Sequence, residues 1–189
     1  MLLKEIKNCA NKISTSIIKN RRHLHSRPEL SFQEYETSAF IKSRLDDMDI
    51  SWQPIANTGV VAIIQGEISS KKVIALRADM DALPITESNE IVYCSKNNGV
   101  MHACGHDVHT ASLLGTARIL NSVKDQFEGT VRLLFQPGEE KNPGGASFMI
   151  RDGALENPRP AGIIGQHVYP LLPVGKIGFR EGMYMASCD

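Results

Sequence analysis

The stretch Thr130-Val131-Arg132-Leu133-Leu134-Phe135-Gln136-Pro137-Gly138-Glu139-Glu140 joins a short apolar run to a turn and a pair of carboxylates. The run is too short for a helix and rich in strand-forming side chains, so it reads as a buried strand. Gln136-Pro137-Gly138 closes it. The two acids follow at its carboxyl end, which is where open α/β sheets place their ligands. Working outward, Gly59-Val60-Val61-Ala62-Ile63-Ile64, Val73-Ile74-Ala75-Leu76 and Ala161-Gly162-Ile163-Ile164-Gly165 have the same character. Between them, 109–123 reads as a helix through Leu113, Leu114, Ala117 and Leu120, and 146–151 as a short helix. Strands alternating with helices imply a layered α/β domain with a largely buried sheet. The strands near 60–64, 73–77, 130–135 and 162–166 are expected to end on one rim.

Leu2, Leu3, Ile6, Ala10, Ile13 and Ile17 recur at three- and four-residue steps, an amphipathic helix that runs through His25 and stops before Pro28. Ser31 and Glu34 have capping-box spacing, opening a second helix with Ala39, Phe40, Ile41 and Leu45 on its apolar side. Residues 86–100 form a long polar loop, and 174–179 read as a last strand. Lys+Arg and Asp+Glu both number 21, so no basic excess draws the protein to nucleic acid or an anionic membrane. The N-terminus lacks the apolar stretch of a secretory signal, and nothing approaches a membrane span. The expectation is a cytoplasmic protein in which Cys9, Cys94, Cys104 and Cys188 show no disulfide spacing and a thiol can serve as a ligand.

The strongest chemical signal is His102-Ala103-Cys104-Gly105-His106-Asp107-Val108-His109, which holds three of the chain's 6 histidines. Cys104 and His106, two apart in extended backbone, can reach one metal centre. Gly105 between them lets other backbone approach closely. Gln166-His167 also falls at the carboxyl end of an apolar strand, as do Asp79 and Asp81 in Arg77-Ala78-Asp79-Met80-Asp81. These two aspartates share a side of extended chain and could bind metal or orient a ligand imidazole. Adjacent acids such as Glu139 and Glu140 are often only solvated charges, and a lone His167 is often structural. Their common position at strand ends points to one centre.

Together, five segments in order resemble the peptidase M20 family, and within it the N-acyl-amino-acid hydrolase branch that includes hippurate hydrolases. They are the Arg22-His23-Leu24-His25 to Phe32 segment, Leu76 to Pro84, Met101 to Asp107, Phe135 to Glu140, and Gly144-Gly145-Ala146. The resemblance implies a zinc-exopeptidase-like catalytic domain, a central sheet flanked by helices. It implies that Cys104, His106, Glu140 and His167 are ligands of a centre holding two divalent metal ions per full-length subunit, and that Glu139 is the general acid/base. Asp79, Asp81, Asp107 and His109 lie in the matching motifs as supporting groups or further ligands. The resemblance allows Zn or Mn. A thiolate favours softer metals such as Zn, whereas carboxylate and imidazole also suit Mn, Co or Ni. The implied substrate is an N-acetyl or N-benzoyl amino acid or a short peptide, hydrolysed by a metal-activated water.

Family members run to roughly twice this length, about two domains' worth of chain. The expected division is therefore 1–180 as the N-terminal part of the catalytic domain, incomplete at its C-terminus, and 181–189 as the start of a dimerisation or lid domain. The full-length protein is expected to be a homodimer through that domain. A further histidine ligand would lie beyond residue 189, so the chain alone is expected to hydrolyse poorly. The competing reading is a truncated, catalytically silent metal-binding or interaction protein. A zinc nucleobase deaminase needs a paired-cysteine motif that this sequence lacks.

Overall fold

In the computed structural model, residues 2–183 are described. Cys188 and the last six positions of the expected second-domain start lie outside them. Helix α1 (Leu2–His25) and helix α2 (Tyr35–Asp46) precede strands β1 (Trp52–Ile55), β2 (Gly59–Gln65) and β3 (Ile68–Asp79). Helix α3 (His106–Ser122), strand β4 (Glu128–Gln136), helix α4 (Gly145–Arg151) and strand β5 (Ile163–Gly165) follow. The five strands form one sheet in the order β1-β2-β4-β3-β5.

β3 is parallel to both β4 and β5, so Asp79, Gln136 and Gly165 end on the same rim. β2 does not join them. It runs antiparallel to β4, with Val60 opposite Phe135 and Gln65 opposite Thr130, so its carboxyl end lies on the far rim. The reason is the link to β3: Gly66 and Glu67 alone connect the two strands. A link that short reverses the chain, whereas parallel strands need a crossover of about a dozen residues. β1 was not evident in the sequence. Among the described residues it pairs only with β2, and an edge position is where a strand carrying Pro54 can sit.

The main core lies between the sheet and the helices α2 and α3. Val60, Ala62 and Ile64 alternate inward along β2 and meet Val131, Leu133 and Phe135 of β4, Ile41 and Leu45 of α2, and Leu113, Leu114 and Ala117 of α3. Each of the Val, Leu, Ile and Phe side chains among them contributes about 1.5–3 kcal/mol when fully buried. A smaller core of Ala75, Leu134, Met149 and Ala154 covers the opposite face under α4. On that face Arg132 is buried and donates to the carbonyls of Ala154 and Glu156. β4 therefore has both faces covered, which is why its residues are buried without interruption from Gly129 to Gln136 rather than alternately. α1 packs on α3 at Gly115, where a Cβ would lie 2.5 Å from Ile17 Cδ1.

Two local expectations fail. Residues 174–179 form no strand, and Val174, Ile177 and Phe179 are exposed, because among the described residues no strand lies alongside them. The Ser31/Glu34 capping box does not form either: Glu34 stands at the N-cap of α2 without a side-chain capping bond. Glu29 accepts from the Glu36 and Thr37 amides instead. Among the described residues no helix is long and apolar enough to cross a membrane.

Candidate metal centre

Three elements that end on the same rim carry the chemical groups. Asp79 closes β3, Glu139 and Glu140 follow β4, and His167 follows β5. The loop before α3 brings Cys104, and His106 is the first residue of that helix. Gly105, between them, has φ +85°, and a Cβ there would lie 2.4 Å from Val168 Cγ2. Glycine thus permits both the turn into α3 and the close approach of the 167–168 segment.

Ligand-type atoms of Cys104, His106 and His167 lie within 4.8 Å of one another, and so do those of His106, Glu139 and Glu140. Asp79, His106 and His109 form a third such group, so His106 is common to all three. Cys104 Sγ is 3.3 Å from His167 Nε2. His106 Nε2 is 3.7 Å from Glu140 Oε1, 3.9 Å from Glu139 Oε2 and 3.7 Å from Asp79 Oδ2.

The aspartates orient the histidines. Asp81 Oδ1 lies 3.2 Å from His106 Nδ1, while its Oδ2 accepts from Ser31 Oγ at 2.6 Å and from the Glu140 amide at 2.9 Å. This turns His106 Nε2 toward the carboxylates. Asp79 Oδ1 meets His109 Nδ1 at 2.6 Å, and His109 Nε2 accepts the Val168 amide at 2.9 Å. Both ring nitrogens of His109 are therefore engaged, one by Asp79 and the other by the segment that follows His167.

The electrostatics favour a cation. Burial, followed by hydrogen bonding to Glu140 and the charges of Glu140 and Glu139, pushes the Cys104 thiol up to about 12. Burial and then the Glu140 charge raise the Glu139 carboxyl. Burial alone would lower His106, but Asp81, Asp79 and Glu140 outweigh it and raise its value. Asp79 is lowered to about 2: burial opposes this, but the His109 hydrogen bond and the Arg77 charge prevail.

His106 Nε2 and Glu140 Oε1 are both buried without a hydrogen-bond partner among the described residues. Unpaired buried polar atoms are costly, and a cation bound by both of these, 3.7 Å apart, would offset that cost. The donor set of thiol, imidazole and carboxylate fits a divalent transition metal.

Asp107 does not belong to this cluster. Its Oδ2 lies 2.8 Å from both His25 Nδ1 and Arg21 Nε, on the α1 side of α3. Glu87 meets His25 Nε2 at 3.0 Å, and His102 is buried nearby. From sequence, His102 is named only as part of the histidine cluster, Glu34 is read only as a helix cap, and His25 and Glu87 are given no site role. Only the position of His25 in the Arg22-His23-Leu24-His25 segment hinted at one.

The model of peptidase family M20/M25/M40 matches residues 75–185. An N-acyl-L-amino acid amidohydrolase of Geobacillus stearothermophilus is 45% identical over all of this chain and 50% of its own length. An N-acetyl-L-cysteine deacetylase of Bacillus subtilis is 48% identical, again over 100% of this chain and 45% of its own. A solved Bacillus subtilis structure, described as a dinuclear metal binding peptidase from the M20 family, superposes with a TM-score of 0.86 at 46% identity. That match covers 91% of this chain and 48% of the other. The chain spans about half the length of the curated relatives it matches.

Proposed function

This chain belongs to peptidase family M20/M25/M40, and from that premise we propose that it carries the metal centre of an amidohydrolase that cleaves N-acyl-amino acids. The observation that carries the reading is the pair of buried, unpartnered atoms His106 Nε2 and Glu140 Oε1, at the meeting point of the thiol, imidazole and carboxylate groups. Cys104, His106, Glu140 and His167 would hold divalent cations, with Zn or Mn suited to this donor set. When bound, such ions acidify a water and polarise the scissile carbonyl.

The residues of the chain supply the rest. Glu139 stands beside Glu140 but keeps 40% of its side chain exposed, against 21% for Glu140. It is thus the carboxylate open to an arriving substrate. Its raised affinity for a proton suits a base that takes a proton from water and returns it to the leaving nitrogen. Asp81 holds His106 and the Glu140 amide in place, so the two glutamates keep separate duties. The products are a carboxylic acid and a free amino acid. Supporting this substrate class, two similar proteins bear the names N-acyl-L-amino acid amidohydrolase and N-acetyl-L-cysteine deacetylase.

The paired glutamates provide the test in the full-length protein. Glu139→Gln should keep its bound metal and lose about 10²–10⁴-fold in turnover, the usual contribution of a general acid/base. Glu140→Ala should lose metal as well. Metal content by elemental analysis, read beside hydrolysis of N-acetyl and N-benzoyl amino acids, separates the two. Equal metal loss in both variants would overturn the assignment.

A further inference from the structure

Glu34 is fully buried, yet the chemistry proposed above does not call on it. Nor does the helix it precedes: Glu29 caps the first amides of α2, and Glu34 makes no capping bond. Its carboxylate instead joins three separate segments. Oε1 accepts the Phe32 amide at 2.9 Å and the Gly138 amide at 2.7 Å, and Oε2 accepts Thr58 Oγ1 at 2.6 Å. Burying a carboxyl is costly, and here burial raises its pKa while these donors pull it back. The arrangement has to serve a purpose that outweighs that cost.

We propose that Glu34 is a positioning residue for the glutamate loop, holding Gly138 so that Glu139 and Glu140 stand at their working places. This rests on the roles given above to those two residues. The turn that carries Glu34 meets the loop at several points. Phe32 adopts φ +65°, a conformation costly for a bulky side chain. The ring of Phe32 occupies the space beside Gly138, where a Cβ would lie 2.3 Å from Phe32 Cε1. The same ring stacks edge-on against Phe148 at 5.5 Å. Ser31, one residue earlier, donates to Asp81, which accepts the Glu140 amide. From the other side the Gly145 amide donates to the Gly138 carbonyl at 2.9 Å. Glu139 thus lies between two residues whose amides are held, one by Glu34 directly and one through Ser31 and Asp81.

The test compares five variants of the full-length metal-loaded enzyme. Leu45→Ala, in the core of α2 and away from the site, controls for simple loss of stability. It should lower Tm and leave kcat unchanged. Glu34→Ala leaves the Gly138 and Phe32 amides unpaired. Its kcat at saturating metal should fall roughly 10–100-fold with little change in KM, the effect of misplacing a reacting group. Titration with Zn alone should show affinity weakened about 10-fold, as for loss of a group that orients a ligand. Glu34→Gln keeps an oxygen that accepts both amides and should recover most of each loss. Glu34→Asp keeps the charge but falls one methylene short of Gly138. It should resemble the Ala variant, and it supplies the same contrast if that one does not fold. Behaviour of Glu34→Ala or Glu34→Asp like Leu45→Ala would overturn the proposal, as would failure of Glu34→Gln to recover function. A Glu139→Gln variant assayed alongside keeps the two readings apart. If it retains full turnover, the catalytic assignment fails, while the Zn titrations still judge Glu34.

Discussion

His102 has both ring nitrogens buried and, among the described residues, without a hydrogen-bond partner, and burial lowers its pKa to about 4. An unfolded chain binds a proton at this histidine near 6.5, so the native state binds fewer protons between those two values. Stability should therefore fall as pH drops from about 6.5 toward 4, by an amount on the order of 3 kcal/mol. Urea unfolding of the metal-free protein at several pH values checks this, and His102→Leu should flatten that arm of the profile. A variant with the wild-type slope would exclude His102 as its source. The residue scale also shows what sequence could and could not reveal about the site. Not extended chain but the left-handed turn at Gly105 into α3 brings Cys104 and His106 together, yet their two-residue spacing made them legible as a pair. Asp107 was not, because His106 and Asp107 open a helix, where neighbours diverge by about 100°. His106 turns to the carboxylates and Asp107 to α1.

Among the elements, α3 depends on Gly105 at its N-terminus. Gly105→Ala would force an L side chain into φ +85° and set its Cβ against Val168. We expect a loss of roughly 1–3 kcal/mol and weaker metal binding, because the displaced Val168 follows His167. Thermal unfolding and metal titration read the two effects separately, and an unchanged affinity would mean that the 167–168 segment adapts without moving His167. Most elements were legible from period and composition: the apolar run of β4, the β-branched runs of β2 and β3, and the three- to four-residue repeat of α1. The capping box was misread because a local pattern does not specify the distant groups that engage the side chains, Ser31 as a donor and Glu34 as an acceptor. Their partners, Asp81, Thr58 and Gly138, are 50, 24 and 104 residues away. The direction of β2 was missed because a strand's own sequence carries no record of the strand beside it.

In the molecule as a whole, the rim is built by strands that meet only after long stretches of chain, and β5 is the lightest member. It pairs with β3 at three positions, Ala75↔Ile163, Leu76↔Ile164 and Arg77↔Gly165, and all three of its residues are exposed. Beyond it, the chain is tied down by Gln166 to Ser112, by the Val168 amide to His109, and by His167 to Cys104. A cation held by His167 and Cys104 would therefore latch this strand to the sheet. Adding a chelator should speed hydrogen exchange at the amides of 161–168 while leaving the β2 and β4 amides protected, as mass spectrometry of exchanged peptides would show. Uniform exchange with and without metal would mean that β5 docks independently. Linkage runs both ways: whatever steadies the exposed edge of β5 from outside, a partnering strand included, must tighten the hold on the cation by the same factor.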